Sequence, residues 1–171
     1  MNNETTLHFF CGKMAAGKST LAKSIISEFD AILLSEDHWL GQLYPKEIID
    51  IPTYLNYSSR LKNLLSDHII SILSGGVSVV LDFPANTKKQ RKWFREIFEQ
   101  SNVSHALHFI DASDEICKHQ LKQRSKNKKQ GTAFTTEKEF DAITRYFQAP
   151  SENEGFNIIR YEQGVDQISH H

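Results

Sequence analysis

Long hydrophobic runs are missing from this 171-residue chain, and its few apolar stretches have the length of strands. A membrane span needs about 20 apolar residues, so neither a span nor a signal peptide is expected. An excess of one charge is missing as well: 20 lysines and arginines stand against 21 aspartates and glutamates, for a formal net charge of −1. A general polyanion-binding surface is therefore not expected, and nucleic acid is an improbable partner. Cysteine is scarce, with only Cys11 and Cys117, neither near a Cys or His at zinc-like spacing. Two buried thiols are the expectation, with no disulfide and no zinc site. The length suits one domain with a real core and is short for two, so residues 1–171 read as a single cytoplasmic domain.

What is present begins with Gly12-Lys-Met-Ala-Ala-Gly17-Lys18-Ser19, which fits G-x-x-x-x-G-K-[ST] and follows the apolar run Leu7–Cys11. A strand, a glycine-rich turn and a following helix together aim backbone N–H groups and the positive end of a helix dipole at one point. That arrangement holds a polyphosphate without many cationic side chains. Gly12, Lys13, Met14, Ala15, Ala16, Gly17, Lys18, Ser19 and Thr20 are the expected nucleotide-binding residues. Lys18 is expected on the β and γ phosphates, and the Ser19 hydroxyl on Mg²⁺, a cation that prefers oxygen ligands.

Leu21, Ile25 and Phe29 then repeat at helical spacing, and Ala31–Ser35 is a second strand-length run. Periodicity predicts a long helix from Arg60, stopped by Gly75-Gly76, with Val77–Leu81 as a third strand. A helix carrying Phe94, Ile97 and Phe98 leads to a fourth strand, Ala106–Ile110. Ser113 can cap the next helix, and Thr136 with Glu139 forms a capping box for a last one. Phe156–Arg160 supplies a fifth strand. Alternating strands and helices predict an α/β fold with three αβα layers, a five-stranded, mostly parallel sheet and a ligand crevice at the strands' carboxyl ends.

That rim carries Ser35-Glu36-Asp37 and Asp82 through Asn86-Thr87. Two acids beside a phosphate loop match the two carboxylate tasks of phosphoryl transfer, holding the metal shell and accepting the attacking hydroxyl's proton. Asp37 is favoured as the base, Asp82 with Ser19 on the metal side, although an Asp after a strand can equally form a turn or cap a helix. Lys118 to Lys129 contains six cations and no acid. A lid over about residues 124–136 is expected there, with Arg124 chosen to close over the phosphoryl group and Lys126 to Lys129 lying beyond the helix. Solvated cations offsetting a helix dipole are the plainer alternative for Lys122 and Arg124. Arg91 could face an acceptor phosphate or lie exposed on its helix. An aromatic-rich insertion at about 38–60, including Trp39, suggests a flat or apolar acceptor. Asn127-Lys-Lys-Gln130 lacks the closing Asp of a guanine-reading pattern, so GTP gains no support.

With these motifs in place, the chain resembles the small P-loop kinases grouped with zeta toxins, polynucleotide kinases and chloramphenicol phosphotransferase, which have an AAA-type ATP-binding domain. The resemblance rests on Gly12–Ser19, on Ser35 to Asp37 as S-x-D, on Asp82 with Arg91, and on the basic segment Arg124–Lys129. It implies ATP and Mg²⁺ as cofactors and Asp37 as the group that deprotonates an acceptor hydroxyl. Two departures are visible: the lid offers one arginine followed mainly by lysines, with Arg145 as a possible second, and Phe83-Pro84 is bulkier than usual after that Asp. The expected function is an ATP-dependent kinase of a small-molecule hydroxyl. An ATP-operated binding module and a kinase of nucleic-acid ends are the alternatives.

Overall fold

The computed structural model describes residues 4–127 and 136–163, with the side chain of Asn127 excepted. Its five strands are β1 (Thr6–Cys11), β2 (Ile32–Ser35), β3 (Val79–Pro84), β4 (Ser104–Asp111) and β5 (Ile158–Glu162). They form one sheet in the order β2-β3-β1-β4-β5, every neighbouring pair parallel. The helices are α1 (Lys18–Phe29), α2 (Glu36–Leu43), α3 (Ile51–Ser74), α4 (Lys88–Ser101), α5 (Asp114–Asn127) and α6 (Glu137–Thr144). None of the helices in the described residues is long and apolar enough to cross a membrane.

Successive side chains on a strand point to opposite faces, and this alternation sorts the core. Leu7, Phe9, Val79, Leu81, Phe83, Leu107 and Phe109 meet Leu61, Leu65 and Ile69 of α3 and Phe94 and Ile97 of α4. On the other face, Phe10 and Val80 pack on Ala22 and Ile25 of α1, while Ile110 packs with Cys117, Leu121 and Phe140 of α5 and α6. With both faces covered, the central strands have no solvent side, which explains their nearly unbroken apolar runs. The same alternation fixes the site: Asp82 follows Val80 by two and so emerges on the α1 side at the carboxyl end of β3.

Several boundaries differ from the sequence expectation, among them β3, expected at Val77–Leu81 and found at Val79–Pro84, and β5, expected at Phe156–Arg160 and found at Ile158–Glu162. The long helix begins at Ile51, not near Arg60, because the Asp50 side chain accepts from the Thr53 amide at 2.8 Å and Pro52 sits in the first turn. Most of the supposed insertion at 38–60 is therefore the helical pair α2 and α3, whose solvent-facing residues such as Leu55 blur the periodicity. At the other end, α5 runs to Asn127, so Lys126 belongs to the helix.

A chain of polar rings crosses the core beneath α1. His8 Nδ1 lies 3.0 Å from His108 Nε2, and His108 Nδ1 lies 2.9 Å from the Tyr161 hydroxyl. Burial lowers both imidazoles to about 4, the His8 charge adding to the effect at His108. The unfolded chain binds these protons near the ordinary value of 6.5, whereas the folded chain resists them until about pH 4. Stability from this source is thus complete above pH 6.5 and falls as pH drops toward 4. We expect the melting temperature to decline across that window by scanning fluorimetry, and the decline to be much shallower in the His8→Leu/His108→Leu variant.

Candidate active site

The chain leaves β1 through Gly12 and enters α1 at Lys18. At Gly12 a Cβ would lie 3.3 Å from the Ile110 carbonyl oxygen, so the turn hugs β4 as only glycine allows without a shift. Gly17, the residue before α1, has φ of 107°, a backbone state that other residues rarely adopt. Ala15 is also held at positive φ, 63°, an observed strain at the head of the loop. The loop is anchored from outside by Asn86, whose Oδ1 accepts the Gly12 amide at 2.9 Å. Helix α1 has no side-chain cap bond and no acid in its first turn, so nothing on its own first turn offsets the positive end of its dipole. Lys18 folds over the loop, its ammonium donating to the carbonyls of Gly12 and Lys13. Burial depresses its proton affinity, the charge of Asp82 opposes this, and Arg124 adds to it.

Across the crevice, Ser19 Oγ donates to Asp82 Oδ2 at 2.8 Å, joining the two residues expected on the metal side. Asp82 is paired in register with Ser35 of β2, so the strand that ends in Asp37's helix runs directly alongside. Asp37 is exposed in the first turn of α2. Burial raises the Asp82 carboxyl above its usual range, its bond from Ser19 works against this, Asp37 adds to it, and Lys18 and Arg124 oppose it. The charges of Lys18, Asp37 and Arg124 all reach the Asp82 carboxyl. Hard oxygen donors from a hydroxyl and a carboxylate suit a small divalent cation that keeps most of its shell as water and phosphate oxygen. No cluster of three or more His, Cys, Asp or Glu residues capable of holding a metal alone occurs among the described residues.

A family model for the AAA domain matches residues 7–150, a span that includes the loop, both rim acids and α5. The chain belongs to the AAA domain family. Among solved structures similar to this AAA-domain protein, a candidate kinase from Chloroflexus aurantiacus superposes with a TM-score of 0.72 at 14% identity, covering 94% of this chain and 89% of that one. A sugar kinase from Janibacter gives 0.64 at 14% identity, with 94% and 86% covered. The APS kinase of Mycobacterium tuberculosis, in complex with AMPPNP and APS, gives 0.56 at 17% identity, with 95% and 91% covered. At these identities the likeness shows the fold, a three-layer α/β P-loop kinase fold. A search of curated proteins gave no significant match.

The remaining predicted residues of this AAA domain divide sharply. Lys13 pairs with Asp114 at 2.7 Å and lies 5.7 Å from the centre of the Phe147 ring, at the edge of a pocket of about 440 Å³ lined also by Phe109, Pro150 and Arg160. Met14 packs against the α5–α6 core, Ala15 and Ala16 are buried in it, and Thr20 is exposed on α1. Trp39 is half-buried against the main core. Arg91 departs from the expectation of an acceptor-facing cation. It is fully buried, its Nε 2.8 Å from Glu154, with Nη1 donating to the carbonyls of Ala85 and Gln148 at 2.9 Å each. A buried guanidinium held by the Glu154 carboxylate and two backbone carbonyls is a clasp between the β3–α4 turn and the approach to β5.

Within the basic segment, Lys118 and Lys122 bridge to Asp141 and Glu137 of α6 at 2.9 Å each, which fixes α5 rather than closing a lid. Arg124 is exposed in the last turn of α5, close enough for its charge to act on Lys18 and Asp82. Most of the predicted lid, including Lys128 and Lys129, lies outside the described residues. Two residues take parts that the sequence does not announce: Asn86, a rim residue, anchors the loop, and Glu36, the middle residue of S-x-D, joins α2 to α3. A signal for Glu36 existed in the i, i+4, i+8 spacing of Tyr54, Ser58 and Lys62, three polar residues on one face of an otherwise amphipathic helix.

Proposed function

We propose that this protein transfers the γ-phosphoryl group of ATP to a hydroxyl of a small-molecule acceptor. The observation that supports this reading most is the Ser19–Asp82 hydrogen bond, which joins the two residues proposed for the metal side at the mouth of the phosphate loop, with Asp37 in the first turn of α2 just past the end of the neighbouring strand β2. The loop amides and Lys18 hold the β and γ phosphates, and Asp37 takes the acceptor's proton as its oxygen bonds to phosphorus. The bond from phosphorus to the bridging oxygen breaks, and ADP leaves with that electron pair. Ser19, with Asp82 behind it, would hold Mg²⁺, which would supply charge neutralisation on the phosphate oxygens. Arg124 adds positive charge on the open side as the transferred group loosens.

The identity of the acceptor is open to a direct trial. Incubation with ATP, Mg²⁺ and pooled sugars, nucleosides, aminoglycosides and short oligonucleotides should yield a phosphorylated small molecule by mass spectrometry. Phosphate appearing only on oligonucleotide ends would move the assignment to a nucleic-acid kinase. Bound ATP that stays intact for hours with every acceptor present would favour an ATP-operated binding module instead.

A further inference from the structure

Helices α2 and α3 meet over a buried carboxylate that the phosphate chemistry above does not use. Glu36 is only 1% exposed, opens α2, and is the chain neighbour of Asp37. Both its oxygens are engaged: Oε1 accepts the Tyr54 hydroxyl, and Oε2 accepts Ser58 Oγ at 2.6 Å. The charge of Lys62 also acts on it. Tyr54, Ser58 and Lys62 recur every four residues, so one stripe of α3 is directed at a single acid. As a device for joining two helices this is an expensive choice, since burying a carboxylate costs more than burying an apolar side chain of similar size.

The reason for it lies one residue along. Helix α2 is eight residues long, and its N-cap, Ser35, makes no side-chain capping bond. A helix this short has little stability of its own and takes its position from what it packs against. Its first turn carries Asp37, whose charge acts on Glu36, Tyr54 and Asp82 alike.

We infer that Glu36, Tyr54 and Ser58 form a clamp that pins the first turn of α2 to α3 and so sets where the Asp37 carboxylate meets an acceptor hydroxyl. These are positioning residues, and the inference rests on the reading of Asp37 as the base. A displacement of about 1 Å at a reacting group can cost up to a hundredfold in rate, so a clamp of two hydrogen bonds has leverage on turnover.

The test is a mutant cycle. Tyr54→Phe and Ser58→Ala are each made alone and in an Asp37→Asn background, with ADP release from MgATP, water serving as acceptor, as the readout. Each clamp variant should lower kcat by about tenfold, leave KM for ATP within about twofold, and cost nothing further once Asp37 is already Asn. A purely structural role predicts the same fractional loss in both backgrounds, and that result overturns the clamp. So does an unchanged kcat in both single variants while Asp37→Asn is severely impaired. If Asp37→Asn itself turns over normally, the base assignment fails and takes the clamp with it. Melting curves identify any variant that does not fold, and the remaining one then decides.

Discussion

Replacing Lys18 with alanine is expected to abolish measurable ATP turnover, a loss of at least about a hundredfold, while leaving the protein folded. The first half follows from geometry. The ammonium sits over the loop on the carbonyls of Gly12 and Lys13, where a polyphosphate entering the cradle would meet it. The second half follows from electrostatics. Burial depresses the proton affinity of Lys18 in the folded state, so at neutral pH its charge is held at a cost that the unfolded chain does not bear. Removing it relieves that cost, while two loop carbonyls lose a donor and gain access to water. The melting temperature should therefore stay within a few degrees of the parent value, or rise. Turnover and melting temperature measured on one preparation separate the two effects. A folded Lys18→Ala protein that still hydrolyses ATP at the parent rate would remove the phosphate-loop reading and leave only the layered fold.

How much of this could be read from residues alone depended on how local each requirement was. The loop was legible because its demands are confined to eight consecutive positions, glycines where the backbone must turn or approach β4 and a hydroxyl at the helix start. The strands were legible through burial on both faces. Asp82 was legible as a rim residue beside the phosphate loop, and its carboxylate accepts a hydrogen bond from Ser19 of that loop. Arg91 was not legible, since its role is fixed by Glu154, 63 residues away in sequence, and a helix-borne arginine reads the same whether buried in a clasp or exposed. The start of α3 is hidden for a different reason: its cues, Asp50 and Pro52, are capping chemistry, which apolar periodicity does not carry. Glu36 combines both difficulties, being polar in an amphipathic setting and explained only by partners on another helix.

Replacing Asp37 with asparagine should leave MgATP binding intact and reduce phosphoryl transfer by about a hundredfold to ten-thousandfold, the span ordinarily lost with a general base. Asparagine keeps the size and most hydrogen-bonding capacity of the side chain but cannot take a proton. Asp37 is exposed in the first turn of α2, outside the phosphate loop, so nucleotide affinity and folding are expected to survive its replacement. Asp82→Asn should behave differently. Its Oδ2 holds the Ser19 hydroxyl, and burial already favours its protonated form against the pull of Ser19, Lys18 and Arg124. Loss of that carboxylate should weaken the metal-side pair, so raising the Mg²⁺ concentration should restore part of the Asp82→Asn activity and none of the Asp37→Asn activity. Titrating Mg²⁺ against turnover for the two variants in parallel distinguishes the roles. Recovery of Asp37→Asn by excess Mg²⁺, with Asp82→Asn unresponsive, would exchange the assignments of the two acids while leaving the phosphate loop and its lysine as they stand.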